Sequence, residues 1–437
     1  MKFTKLTLGV AISAMLTTGL AASKAAAEDK LFIPVFSYRT GAFAGSGIPQ
    51  ANGFTDYLNL VNERDGGING VKIQFEECET GYKAQKGVEC YEATKGRGAL
   101  VYNPYSTGIT LQLIPKAPID KIPVLSMGYG LSASAVGEKF PWTFNVPATY
   151  WSQASAVVKY IDSELKGGIK GKKVGFIFLD SGYGREPIPL FEKLADQMGF
   201  KLFTVSVGVK EMQSQASHWL QVRKEQPDYM VMWGWGAMNP TALKEAAKIR
   251  YPMDKFIGVW WSGSEGDVEP AGKDAIGFKA MSFHGAGTDY KVIQEIKKHV
   301  IDKGKSVGNG GNWGEVLYNR AVFNAMLVVE AIRNAQNISG KKIVIGEDVR
   351  KGLETLNLTE ARLAELGFAN FSQPIKVTCK DHAGAHPMFV QQWDGKNWNK
   401  VSDWITPMRD VVRPLLEEAA EKYVAEKKDW LTQKCDG

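Results

Sequence analysis

Long apolar runs are scarce in this 437-residue chain. Past the first 20 residues, no stretch approaches the roughly 20 continuous apolar residues a bilayer span needs. Cysteine is also sparse, with four residues, and no two stand in a C-x-x-C spacing. Zinc is disfavoured by that spacing. Histidine numbers five: His218, His284, His299, His382 and His386. His382 and His386 lie near Asp381, but no helix carries them and no third ligand is evident, so no metal is expected. No basic cluster with interleaved aromatics occurs, which counts against a nucleic-acid partner. Catalytic motifs are missing too. There is no G-x-S-x-G elbow, no P-loop lysine motif, no H-E-x-x-H, and no G-x-G-x-x-G after the first expected strand. Neither an enzyme nor a cofactor has a motif to rest on.

What is present begins at the N-terminus. Lys2 and Lys5 form a basic start, Leu6 to Leu20 is apolar apart from small polar residues, and Ala25-Ala26-Ala27 offers a small-residue cleavage site. Charge follows at once in Glu28-Asp29-Lys30. Residues 1–27 therefore read as a cleavable signal peptide, and the periplasm as the destination. About 410 residues remain, too many for one typical core, so two lobes are expected. The formal charge of +6 falls further when Lys2, Lys5 and Lys24 leave, and argues for no particular partner. In an oxidising compartment an even cysteine count reads as disulfides. Cys78 with Cys90 would close a short loop, and Cys379 with Cys435 would staple the tail to a strand. Four cysteines allow three pairings, and the sequence does not choose among them.

The body alternates strand and helix. Leu31 to Ser37 reads as a strand and Thr40 to Gln50 as a Gly-rich loop. Phe54, Tyr57, Leu58 and Val61 mark one helix face, which Asp65-Gly66-Gly67 ends. Strands follow at Val71–Glu76, Ala99–Tyr102 and Ile122–Ser126, with helices near 83–96 and 109–115. The pattern restarts after 144–149, with a helix from Trp151 to Glu164. Strands then come at Lys173–Leu179, Phe203–Val207, Tyr229–Trp233 and Phe256–Trp260. An apolar helix near Glu315–Asn334 precedes strands at Ile375–Cys379 and Met388–Trp393. A turn at Asp394-Gly395-Lys396-Asn397 leads to Trp398–Val401, and the tail is a charged helix from Pro414 to Trp430. Such alternation implies an α/β fold with parallel sheets covered on both faces.

Particular segments sharpen this. They are Thr40-Gly41-Ala42-Phe43-Ala44-Gly45-Ser46-Gly47, the helix end Asn62-Glu63-Arg64-Asp65-Gly66-Gly67-Ile68-Asn69-Gly70, the acidic strand end Glu76-Glu77-Cys78, Asn103-Pro104-Tyr105-Ser106-Thr107-Gly108, and Asp180-Ser181-Gly182-Tyr183-Gly184. In this order they resemble the Leu/Ile/Val-binding type of periplasmic substrate-binding proteins of ABC importers, the type I class. The resemblance runs over nearly the whole chain beyond the signal peptide. It implies two Rossmann-like lobes joined by a three-crossover hinge, with the solute between them and a membrane permease as partner. Crossovers near 148, 282 and 370 would make lobe one 28–148 plus 283–370, and lobe two 149–282 plus 371–437. A monomer is expected. A sensing receptor module of the same fold, or a secreted hydrolase or amidase, is the alternative.

Binding residues of parallel sheets lie beyond the carboxyl ends of strands. Ser106 and Thr107 open a helix after one strand, where hydroxyls and free N–H groups suit a carboxylate; a plain N-cap is the bland alternative. Met127, Gly128 and Tyr129 form the next junction. There the resemblance implies a hydroxyl and a carbonyl for an amino acid, but Gly130 or Leu131 takes the hydroxyl position. Tyr183 matches a cleft-wall tyrosine. Trp233 and Trp235, and Trp260 and Trp261, cluster at two adjacent strand ends, and at least two of them are expected to face the cleft. Trp260 falls where the resemblance implies an acid for the ligand ammonium, with Glu265 the nearest acid. Arg39, at the mouth of the first strand, offers a bidentate carboxylate partner. Together these suggest a small organic acid with an apolar or aromatic body, or a hydrophobic amino acid.

Overall fold

The computed structural model describes residues 30–384 and 386–435, together with Met1. The expected signal peptide lies outside the described residues, apart from Met1.

Two sheets, one parallel and one mixed, organise the chain. In the first, Leu31–Ser37 pairs in parallel with Ile73–Glu79 on one side. On its other side it bridges to the segment beginning at Ala99 through Phe32. Tyr102 then bridges to Val124, and Val124–Leu125 pairs with Thr143–Phe144. The segment 99–102 was expected as a strand, and its two bridges place it mid-sheet. Leu31 to Ser37 is buried throughout, as a strand covered on both faces must be.

The second sheet has seven strands. Its order is Trp398–Lys400, Phe389–Trp393, Lys279–Ser282, Phe256–Gly258, Tyr229–Trp233, Lys173–Leu179 and Lys201–Val207. The last five of these run parallel, while Phe389–Trp393 and Trp398–Lys400 add antiparallel at the edge. The turn expected between the edge strands is held by Asp394, whose Oδ1 accepts from the N–H groups of Lys396 and Asn397 at 2.8 and 2.7 Å.

Two helices fill the centre of the first lobe. Ala44–Asp65 packs along Val316–Ser339, which is buried nearly all round. Contact between them is close enough that a Cβ on Gly53 would meet the Tyr318 carbonyl at 2.2 Å. The first helix begins at Ala44, inside the segment expected to be loop. Tertiary packing overrides its glycines there, since Gly47 lets the helix close onto Tyr38.

Past residue 370 the chain does not yet join the second sheet. Ile375–Lys376 pairs antiparallel with Asn357–Leu358, and His382 donates its N–H to Ala135 and accepts from that of Asn145. Only at Phe389 does the chain enter the second sheet. Both disulfides are formed, Cys78–Cys90 and Cys379–Cys435.

Candidate functional site

Strand ends of both sheets converge on one narrow, partly open cavity, with about 240 Å³ of empty space that includes open solvent. From the first sheet come Tyr82, Tyr105, Ser106, Thr107 and Tyr129, with Gln50 from the helix packed against it. Tyr183, Trp235 and Trp261 follow strands of the second sheet, and Tyr150 opens the helix between the two. Five tyrosines and two indoles make the wall aromatic with polar tips. Among the described lining residues none is charged.

Several polar tips have a local partner. The Tyr129 hydroxyl accepts the Tyr105 N–H at 2.7 Å, and Tyr105 Oη accepts from Asn324 at 2.8 Å. Tyr183 Oη donates to the Gly234 carbonyl at 3.0 Å. Ser106 Oγ accepts from the Ile109 N–H at 3.4 Å, so it caps its helix, and Thr107 Oγ1 accepts the Gly130 N–H at 3.2 Å. Two fully buried side-chain atoms on the wall have no partner: Gln50 Oε1 and Trp235 Nε1. Two wall residues are strained, since Tyr82 and Tyr105 both hold positive φ, 60° and 50°. Non-glycine residues in that region cost on the order of 1–2 kcal/mol and concentrate at functional sites. Burial raises the pKa of all five tyrosines, so the wall stays neutral.

Polar contacts tie the two lobes together around the cavity. The indole N–H groups of Trp260 and Trp261 both donate to the Gly128 carbonyl, each at 3.0 Å. Gly128 has φ +64°, and a Cβ there would lie 2.9 Å from the Trp260 ring. Arg320, on the long helix of the first lobe, donates to the Trp260 carbonyl and to His284 Nε2. Glu186 accepts the Ser132 N–H at 2.9 Å, and Glu265 accepts the Val316 N–H at 2.9 Å. Burial lifts the Glu186 carboxyl to about 7 and the Glu265 carboxyl to about 8, and it lowers the Arg320 guanidinium to about 9.

The structure thus brings Ser106, Thr107, Tyr129, Tyr183 and Trp235 to the cavity, and places the others elsewhere. Arg39 is held by Glu77 through two 2.8 Å bonds and by Asn52 at 2.7 Å, away from the lining. Its role as a carboxylate partner is corrected to an ion pair along the first strand. Met127 is core. Trp260 is fully buried behind the wall, and its neighbour Trp261 faces the cavity. Glu265 turns to the start of the long helix and offers the cavity no charge. Gln50, Tyr82, Tyr105 and Tyr150 were not expected. Tyr105 alone carried a signal, as the residue before Ser106.

A family model of periplasmic binding proteins matches residues 30–397. The chain belongs to that family. A solved structure described as an ABC transporter permease from the Pseudomonas fluorescens group is 40% identical to this periplasmic binding protein over 93% of this chain and 100% of its own, with a TM-score of 0.87. A branched chain amino acid ABC transporter from Thermus thermophilus with bound valine is 22% identical, covering 88% and 99% of the two chains at a TM-score of 0.74. A solute-binding protein from R. palustris in complex with benzoate is 15% identical, covering 86% and 97% at a TM-score of 0.66. The last two share the fold. No curated protein matches the chain. Its two sheets are the two lobes of the type I periplasmic binding fold, and solute capture for an ABC importer is the activity this family carries.

Proposed function

We propose that this periplasmic binding protein captures one compact organic solute, a hydrophobic amino acid or an aromatic or aliphatic carboxylate, and presents it to a membrane permease. The observation that carries the reading is the aromatic cavity walled from both lobes, ringed by hydrogen bonds that cross between them. Such a site exists only when the lobes meet, so solute and closure are linked. Closure excludes water and strengthens each polar contact inside. The protein acts in the periplasm as a monomer, without catalysis and without nucleic acid. The crossovers lie near 148 and 282, and the third lies near 386 rather than the expected 370, because Ile375–Lys376 still pairs with Asn357–Leu358 and His386 donates its N–H to the Pro147 carbonyl before the chain reaches the edge strand.

A thermal-shift screen of the mature protein tests this with hydrophobic amino acids, aromatic acids, aliphatic acids and their amides. A solute at 100 times its Kd adds about 2.7 kcal/mol. Small-angle scattering should show the same solute making the particle more compact. Stabilisation by no member of the four classes would overturn the reading.

A further inference from the structure

An α-amino acid brings two charges into a closed cleft, and each must find a partner there. The ammonium needs acceptors for three N–H bonds and, once out of water, a countercharge. The described lining offers no countercharge: it contains no carboxylate, its hydroxyl acceptors are neutral, and its one fully buried unpaired acceptor is the neutral Gln50 Oε1. Two carbonyls approach the wall with both lone pairs engaged. Gly128 O accepts from Trp260 and Trp261, and Gly234 O accepts from Tyr183 and Ser262 at 3.0 and 2.7 Å.

Nearby carboxyls make bonds outside the lining. Asp267 holds the Ser264 hydroxyl and N–H and the Asn239 amide, Glu265 holds the Val316 N–H, Glu186 holds the Ser132 N–H, and Asp56 holds Ser306 and Tyr318, while Glu186 Oε2 and Asp56 Oδ1 have no partner.

Donors show the opposite trend. Trp235 Nε1–H stands unpaired on the wall. Behind Trp261, 4.9 Å from its ring centroid, lies the buried Arg320 guanidinium. It makes no ion pair among the described residues, and its Nη2 has no hydrogen-bond partner. One face of the wall is thus backed by a cation that touches no carboxylate, while Tyr183 also feels the Asp267 charge. Hydroxyls of Ser106 and Thr107 border the same cavity; they accept the Ile109 and Gly130 N–H groups and lie against the Tyr82 and Tyr150 hydroxyls.

We infer that the cleft selects a compact organic acid that lacks an amino group, with Trp260 and Trp261 closing the carbonyl an ammonium would need and the Trp235 indole and hydroxyls receiving the carboxylate. This rests on the cleft being the solute site. It narrows the solute to one of the two classes proposed above.

Matched pairs decide it by calorimetry on the mature protein: 4-methylpentanoate against leucine, 3-phenylpropanoate against phenylalanine, and each acid against its primary amide. The expected result is at least one acid binding 100-fold tighter than both its amino acid and its amide. An amino acid that binds as well as its acid overturns the inference and leaves solute capture standing. An amide that matches its acid overturns the anionic part. Binding by no member removes the proposed solute classes and this inference with them. Trp261→Phe frees one lone pair of Gly128 O and is expected to narrow the acid-to-amino-acid ratio at least threefold. An unchanged ratio in a folded variant removes Trp261 from selectivity, while the wild-type pairs still decide the class.

Discussion

Trp235 is the residue whose chemistry is least satisfied by the protein itself. Its indole N–H is buried on the cavity wall without an acceptor. Leaving such a donor unpaired costs about 1–3 kcal/mol, which a solute oxygen would recover. Trp235→Phe is therefore expected to leave the Tm of the solute-free protein unchanged or slightly raised, while lowering solute affinity about tenfold. Calorimetry of both forms checks this, and a fallen Tm with unchanged affinity would reduce Trp235 to packing. Trp235, Ser106, Thr107, Tyr129 and Tyr183 were legible because a parallel sheet gathers its strand-end loops at one edge. Arg39 misled because sequence does not show strand register: Val35 pairs with Glu77, which puts an acid beside the arginine. At the tryptophan pair the strand stops at Gly258, two residues short of the expected end. Trp261 then faces the cavity and Trp260 the core.

At the scale of elements, two helix starts carry a pH dependence. Glu265 begins a short helix of one lobe and accepts the first N–H of Val316–Ser339 in the other, with Glu315 and Asp267 as its acidic neighbours. Glu186, after Gly182–Arg185, accepts the Ser132 N–H and lies near Tyr150. Burial raises both carboxyls from 4.5, to about 8 and about 7 respectively. Opening the lobes would rehydrate them and return them towards 4.5, so closure takes up protons. Their support for the closed form is complete below about pH 4.5. It drains as pH rises and is gone once pH passes about 7 for Glu186 and about 8 for Glu265. Solute affinity is expected to fall at least tenfold from pH 6 to pH 9, a range in which a carboxylate solute stays ionised. Titrations in Glu186→Gln should lose the part of the slope below about pH 7; a flat wild-type profile would mean that both contacts survive opening. None of this was readable beforehand, because burial of an acid is a tertiary property. Long elements such as Lys173–Leu179 and Val316–Ser339 were readable from their apolar runs. The two-residue strand Thr143–Phe144, held in place by its neighbours, was not.

The whole molecule has a fourth tie that a three-crossover hinge does not include. After the second sheet, Met408 donates its N–H to Ser155 on the Tyr150–Glu164 helix. Arg409–Ala425 then packs against both that helix and the Ser132–Ala135 turn of the first lobe. The tail ends on the first lobe: Trp430 Nε1 donates to the Lys139 carbonyl at 2.7 Å, Gln433 binds Arg350 and Glu354, and Cys435 is bonded to Cys379. Cys379 follows the strand Ile375–Lys376, which pairs within the first lobe. A stapled tail was expected from the even cysteine count, but the staple's reach across the hinge depends on where the chain changes lobes, and composition does not mark that point. A covalent tail across a hinge should limit how far the lobes part. Cross-linking over a separation of 56 residues also stabilises by about 4 kcal/mol, against about 3 kcal/mol for the separation of 12 at Cys78–Cys90. The paired variant Cys379→Ser with Cys435→Ser is expected to widen the solute-free distance distribution between spin labels on the two lobes and to speed solute release. Cys78→Ser with Cys90→Ser, confined to one lobe, should lower Tm without either effect. Equal distance distributions in the two variants would mean that the tail stabilises the fold and leaves the hinge free, because the loss of a staple alone cannot tell one lobe from the space between two.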